Sequence, residues 1–552
     1  MNDALGSAVQ ADDVRGFRQA LRPDQIAIVV TIFLAWLFAG LLGHDPWKPD
    51  EAHTFGVVYE ILQNGNWLVP RLAGEPFIQN PPLYYMVAAG FARLFEPLLP
   101  LHDGARLASG LFLVLTLTFT ALAGRELYGR GYGIVAAVVL IGCLGLLVRA
   151  HQIIADVALL TAIAIGLYGL ALTERRRVRA GLWLGAGVGI GFFSQGLFAP
   201  LVFALVAIVL PIFFAAWRTR DYLVCLAIAV LTAAPWLVFW PYALHLQAPV
   251  LFDAWLATNV LNLFDLNPSE PAYYLSILPW YAWPAWPLAL WSLWYGRSSG
   301  WRSAGFQLPV VSFVVMLLAL SLAAEASEVY ALPLLLPLAL LASSSATSLR
   351  RGAANALDWF GIMTFGLMAA LLWLGWVASL TGEPVRLAAR LARYLPDFRA
   401  EFGAFAFAVS LVFSALWIAL VARTGRSNRR AFINWAGGIT LVWLMAMTLW
   451  LPFIDTAKSY RSTFLSLKQS LPGGWQCVAS QGLGESQRAM LHYFADVVTR
   501  RVERAGDTGG CELLLVQTTP GDSNPPDESW EKIWEGSRPN DRRERYRLYR
   551  RS

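Results

Sequence analysis

Apolar stretches of about twenty residues, each bounded by charged or turn-forming positions, recur along the chain from Ile26 to about Pro452. A bilayer core about 30 Å thick needs roughly 20 apolar residues per spanning helix, so this pattern predicts a polytopic helical membrane protein. The expected helices are 26–43, 106–124, 131–148, 152–173, 180–194, 197–217, 222–245, 273–295, 306–324, 331–347, 357–379, 402–422 and 432–452. The first 25 residues are polar, and the span after them has no small-residue cleavage site, so it reads as an anchor and not as a signal peptide. After about residue 454 the pattern changes: Trp475–Ala479 and Leu513–Gln517 look like strands, and Ser486–Val498 looks like a helix between them. A small α/β domain outside the membrane is expected there, which divides the chain into 1–453 and 454–552.

Basic residues set the direction of threading. They gather at Arg15, Arg18 and Arg22, at Arg125 and Arg130, at Arg175–Arg179, at Arg218 and Arg220, at Arg297 and Arg302, at Arg350 and Arg351, and over 423–430. If all of these are cytoplasmic, thirteen spans put the N-terminus inside and the C-terminus outside. A crossing by Pro81–Leu99 would invert every later cluster. Residues 44–105 are therefore expected to be a large outer loop with one or two interfacial or re-entrant helices.

Composition agrees with this class. Of 552 residues, 57% are hydrophobic and only 14% charged, against roughly a quarter charged in soluble proteins. The net charge of +6 is accounted for by the inner loops, where it holds topology and touches anionic lipid, so nucleic-acid binding is not expected. Uncharged helix centres and the lack of internal repeats argue against a transporter.

With this threading the polar residues sort by side. Asp50, Glu51, His53, Asn80, His151, Asp156, Gln195, Asn259, Asn262, Glu325 and Glu328 fall on the outer face, where chemistry is expected. Cys477 and Cys511 lie in the outer domain, where an oxidising compartment would let them pair; two unpaired thiols in facing strands is the alternative. Cys143 and Cys225 sit in apolar helices as small core residues. The stretch Arg386–Arg399 is amphipathic and is expected to lie flat on the outer surface, as a linker or as a recruiter of an anionic acceptor.

Several motifs together resemble a known family. These are Pro49-Asp50-Glu51 after the first helix, Phe77 to Tyr85 with Asn80-Pro81-Pro82, Ala105-Arg106-Leu107, Asp156, Val329-Tyr330-Ala331-Leu332-Pro333 and Gly482 to Ser486 with Glu485. They resemble the bacterial aminoarabinose transferases that modify lipid A, within the protein O-mannosyltransferase-related GT-C glycosyltransferases. The resemblance implies an inverting transfer of a sugar from an undecaprenyl (polyprenyl) phosphate donor to a glycolipid such as lipid A, or to a protein, at the periplasmic face of a bacterial inner membrane. It makes Asp50 the candidate general base, with helix capping as its alternative. Asp156 is the second acid or a helix cap, and Glu51 is catalytic or positions the loop. His53, Arg149, His151 and Glu485 are candidate binders of phosphate or acceptor, and Tyr84, Tyr85 and Tyr330 are candidate pocket walls.

The chain departs from the family where Gln79-Asn80 replaces Glu-Lys, where Gln195 stands in place of lysine, and at Thr258-Asn259-Val260. No metal or other cofactor is therefore expected. Lys48, Arg71 or Arg149 would have to replace the lost cations. Two readings stay open: an active transferase with altered specificity, or a catalytically altered lipid-binding or partner subunit. A monomer is expected.

Overall fold

Helix runs through every one of the thirteen apolar stretches, but several of these helices are short or broken. The computed structural model describes residues 23–260, 270–298, 300–396, 398–423, 428–518, 529–539, 541 and 544–552. Arg15, Arg18, Arg22 and Asn262 lie outside the described residues. Among the described residues, six helices are by themselves long and apolar enough to cross a membrane: Leu101–Tyr128, Arg220–Gln247, Ala304–Ser321, Val329–Ser348, Arg351–Thr381 and Ala404–Arg423. Arg429–Ala446 and Leu451–Lys458, bent by 67°, make a seventh if read as one broken span. Among the described residues, length and composition thus mark six or seven spans, and the other expected stretches form shorter or broken apolar helices.

The shortfall has local causes. The expected 131–148 helix divides into Arg130–Ile141 and Leu144–Arg149, and 273–295 divides into Tyr273–Tyr281 and Ala285–Tyr295. The two breaks meet in space. The Leu144 amide donates to the Trp283 carbonyl at 3.3 Å, so a backbone group freed by one break is satisfied at the other.

Small residues let the helices approach. Gly181, Gly185 and Gly189 repeat every fourth position on Arg177–Gln195, and a Cβ at any of them would stand 2.5–2.6 Å from Arg220–Gln247. This is the small-residue packing by which membrane helices bring their backbones together.

The outer loop contains two helices, Asp50–Asn64 and Leu83–Phe95, joined through a two-stranded hairpin of Arg71–Leu72 and Glu75–Pro76. Leu83–Phe95 has only 13 residues, too few to cross a bilayer core at 1.5 Å per residue. The amphipathic stretch forms the helix Val385–Tyr394, which has no buried residue.

The C-terminal part carries a five-stranded sheet in the order Thr499–Arg501, Val478–Gln481, Leu513–Thr518, Arg545–Arg551, Trp530–Gly536. The first three strands are parallel and the last two antiparallel. Helix Glu485–Ala495 links two parallel strands, as a βαβ crossover requires. Cys477 and Cys511 are joined by a disulfide. The last two strands fall where the sequence reads as a polar tail, because charged residues flank Tyr546 and Leu548, which are buried.

That sheet does not stand apart from the helices. Glu485–Ala495 packs on Asp50–Asn64 so closely that a Cβ at Gly56 would lie 2.4 Å from the Ala489 Cβ. Glu75 of the hairpin adds ion pairs to Arg488, Arg501 and Arg504 at 3.3–3.5 Å.

Candidate active site

The site is built on the loop between the first helix and Asp50–Asn64. Asp50 opens that helix, yet its side chain makes no capping bond. Its Oδ2 instead accepts from Arg149 Nη1 at 2.6 Å, which settles capping against pairing in favour of pairing. Arg149 ends the short helix Leu144–Arg149 and also reaches the Gln152 amide oxygen at 3.3 Å and Glu328 at 3.6 Å. The Asp50–Arg149 pair is partly open, with side chains 36% and 22% exposed.

Asp156 begins the helix Asp156–Ala171, and its carboxylate accepts from its own backbone amide. It stands close enough to Asp50 and Arg149 to interact with both charges. Its Oδ1 is buried and has no hydrogen-bond partner among the described residues, and neither has the hydroxyl of nearby Tyr281. Buried polar atoms left unpaired are costly, so two of them beside one ion pair mark a place built to receive a hydroxyl or a charged group. Tyr330 and Tyr85 are within electrostatic reach of Asp156. Tyr85 is fully buried, hydrogen-bonds Asn80, and has its hydroxyl pushed up by burial.

Glu51, one residue on, has a different task. It is fully buried: its Oε1 accepts from Arg106 Nε at 2.7 Å and from the Ile153 amide at 3.2 Å, and its Oε2 accepts from the Trp47 amide at 3.0 Å. Arg106, also fully buried, pairs with Asp103 at 2.6 Å and donates to the carbonyl of His44 at 3.0 Å. Both oxygens of Glu51 are engaged within the loop and its neighbours, an arrangement that suits positioning of the loop. Burial, with Arg106 next to it, pushes the His44 imidazole down to about 4.

The C-terminal part grips the same loop from the other side. Lys48 pairs with Asp541 and Glu544 at 3.0 and 3.1 Å, and Ser486 donates to the Pro49 carbonyl at 2.8 Å. His53 stands 3.1 Å from Glu485. The imidazole beside it holds the Glu485 carboxyl below the usual glutamate range. Burial alone would raise the Asp45 carboxyl, but hydrogen bonds from Arg461 and Ser459 outweigh it and hold it low.

Four expected binding residues stand apart from the Asp50–Arg149 pair. His151 is buried, with Nδ1 and Nε2 each 2.7 Å from a backbone carbonyl, of Leu147 and Trp36, so it braces the helices and faces no pocket. Tyr84 is fully buried against Ser109 at 2.7 Å. His53 stands against Glu485, 3.1 Å away, at the interface between the two parts of the chain. Of the substitute cations, Lys48 is engaged by Asp541 and Glu544, Arg71 stands by Glu60, and Arg149 alone of the three pairs with Asp50.

The rewritten positions have a structural counterpart. Phe192, Phe193, Trp240, Leu244 and Trp255 form an apolar cluster, and Ile78 and Val260 pack on it. Val260 thus belongs to an apolar wall, in which a charge would need a partner, while Gln79 is exposed and Gln195 half-buried. Sequence reasoning passed over Gln152 and Tyr281 as site residues; Tyr281 is an interfacial tyrosine among many, and nothing in the sequence distinguishes it.

Comparison with known proteins follows the same outline. The family model described as dolichyl-phosphate-mannose-protein mannosyltransferase matches residues 79–239, which include Asn80, Arg106, Arg149 and Asp156. The undecaprenyl phosphate-alpha-4-amino-4-deoxy-L-arabinose arabinosyl transferase of Pseudomonas aeruginosa (strain LESB58) is 29% identical over 378 residues, covering 64% of this chain and 66% of the relative. That of Serratia proteamaculans (strain 568) is 26% identical, covering 58% of this chain and 59% of the relative. The match thus spans a little under two thirds of these relatives' length. The crystal structure of ArnT from Cupriavidus metallidurans bound to undecaprenyl phosphate superposes with a TM-score of 0.67 at 16% identity, covering 96% of this chain and 98% of that one. Over part of its length the chain is thus similar in sequence to aminoarabinose arabinosyl transferases, and its fold is similar to that of the ArnT structure.

Proposed function

We propose that this protein is a membrane glycosyltransferase that moves a sugar from an undecaprenyl-phosphate donor to a glycolipid of the lipid A kind. The observation that carries this reading is the Asp50–Arg149 pair beside the unpartnered Asp156 Oδ1. In the proposed step an acceptor oxygen attacks the anomeric carbon, the carbon–oxygen bond to the lipid phosphate breaks with inversion, and the acceptor proton passes to a carboxylate. Asp50 is that carboxylate: it is paired with Arg149, and the pair is open enough to be reached. Arg149 is also the cation nearest to where a departing phosphate gains charge, a role for which a preoriented guanidinium is suited. Asp156 orients the acceptor through its free oxygen.

The same reading places the protein in a bacterial inner membrane with thirteen crossings, the N-terminus cytoplasmic and residues 454–552 in the periplasm, above the Asp50 loop. Cysteine labelling tests this: a cysteine at position 130 reacting from outside overturns the threading.

The deciding experiment compares membrane glycolipids, by mass spectrometry, from cells with the gene, without it, and with Asp50→Asn. A sugar-modified glycolipid that disappears in both deficient strains supports the transferase. If every glycan is unchanged while a lipid still co-purifies with the protein, the lipid-binding subunit is the correct reading; the neutral residues at Gln79, Asn80, Gln195 and Val260 favour that second reading. Modification that persists only in Asp50→Asn removes the base assignment alone.

A further inference from the structure

A cavity of about 1030 Å³ opens between the helix Val385–Tyr394, the bent segment Leu451–Lys458 and the C-terminal part. Its charged lining is one-sided: Lys48, Arg390, Arg393, Lys458 and Arg538 against Asp541. Lys48 and Arg538 are neutralised, each by Asp541 and Glu544. Arg390, Arg393 and Lys458 are not. Among the described residues none of the three has a carboxylate at ion-pair distance; Arg393 donates only to the Ala389 carbonyl, at 3.3 Å, and the Lys458 ammonium sits over the Trp47 ring at 4.8 Å. The opposite wall is apolar, formed by Tyr394 stacked on Phe453 with a ring separation of 5.9 Å, and by Ile454.

We propose that this cavity is a binding site for the phosphomonoester headgroup of a membrane amphiphile, distinct from the Asp50–Arg149 pair. Three cations around one opening outnumber the single charge of a phosphodiester. A phosphomonoester carries about −1.5 to −2 at neutral pH and offers three acceptor oxygens, enough to engage Arg390, Arg393 and Lys458 together. The apolar wall and the amphipathic helix, whose arginines lie at one rim, match a ligand whose tail stays in the bilayer while its headgroup enters the cavity. The site does not depend on the transferase reading, since neither the cations nor the wall belong to the Asp50 pair. Repulsion between Lys458 and Arg149 nevertheless links the two, so an anion bound here lowers the positive potential at the catalytic pair.

The test uses the full-length protein in detergent micelles and native mass spectrometry of bound lipid. Dioleoyl phosphatidic acid, dioleoyl phosphatidylglycerol and inorganic phosphate are titrated against the wild type, Arg390→Gln/Arg393→Gln and Lys458→Gln. The proposal expects phosphatidic acid to bind at least tenfold more tightly than phosphatidylglycerol, which has the same tails on a phosphodiester. It expects the double variant to lose at least tenfold of that affinity, with Lys458→Gln losing a smaller factor. Because the two arginines lie on a helix with no buried residue, the double variant should fold, and an unchanged melting temperature checks this. Equal binding of the two lipids, or phosphatidic acid affinity unaffected by the double variant, overturns the proposal. Inorganic phosphate binding as tightly as phosphatidic acid overturns the amphiphile and leaves a free anion. An Asp50→Asn protein that makes no sugar product but still prefers phosphatidic acid separates this site from the transferase reading.

Discussion

Asp50 and Glu51 are adjacent in sequence and opposite in environment. The region around Glu51 is a closed network in which Arg106, Asp103 and backbone groups of three segments satisfy one another without solvent. The region around Asp50 is half open, and next to it are Asp156 Oδ1 and the Tyr281 hydroxyl, which have no partner. A buried carboxylate with its bonds complete is a fixture, whereas one beside unfilled polar atoms is available for chemistry. The pair teaches that two adjacent acids need not share an environment: one is tied into the loop while the other stays half open.

The sharpest way to break this comparison is to exchange the expected outcomes. Glu51→Ala leaves Arg106 charged and buried, which costs about 3–5 kcal/mol when one partner of a buried ion pair is removed. Loss of monodisperse protein in detergent is expected, read by size-exclusion chromatography after mild heating. Asp50→Asn should leave that profile unchanged and reduce sugar transfer by about 10²–10⁴-fold, the usual contribution of a general base. If Glu51→Ala melts like the wild type and only activity falls, the division of labour is wrong.

Asp156→Asn sharpens the open side. Transfer should fall at least about tenfold, with the melting temperature unchanged or raised, because an unpartnered buried carboxylate is itself unfavourable. Gly56→Val tests the clamp that holds the loop from the C-terminal side. The methyl groups would meet Ala489, and overpacking of this kind costs about 1–3 kcal/mol; protease should then release the C-terminal part sooner.

Acid gives a smaller effect with a defined sign. Glu485 is held below its usual range by His53, so the stabilisation is present above the ordinary glutamate range and fades as the pH falls through the folded value. The buried His44 imidazole acts in the same direction: the unfolded chain takes up its proton first, and stability declines as the pH drops from about 6.5 towards about 4. His53→Gln should remove only the lower part of the acid-induced loosening, followed by tryptophan fluorescence. The exposed Arg93–Glu96 pair serves as the baseline: Arg93→Ala should change stability by no more than about 0.5 kcal/mol.

Much of the architecture was legible because hydrophobic periodicity is local. The apolar stretches, the outer loop with its two helices, the amphipathic Val385–Tyr394 segment and the first strands near the C-terminus all follow from which residues neighbour one another in sequence. What failed was equally local in cause. The breaks at 142–143 and 282–284 sit inside apolar runs, and the strands Trp530–Gly536 and Arg545–Arg551 alternate so weakly that they read as tail.

The sequence by itself determined that this chain is a multi-span membrane protein with a polar segment after the first apolar helix, because only apolar runs of that length are stable in lipid. It also singled out Asp50 through the motif around it. The tertiary structure alone decided which acid is free. That depends on contacts between residues far apart in the chain, Arg106 with Glu51 and Arg149 with Asp50. A carboxylate's role is set by whether its surroundings complete its hydrogen bonds, and no local pattern records which distant guanidinium arrives beside it.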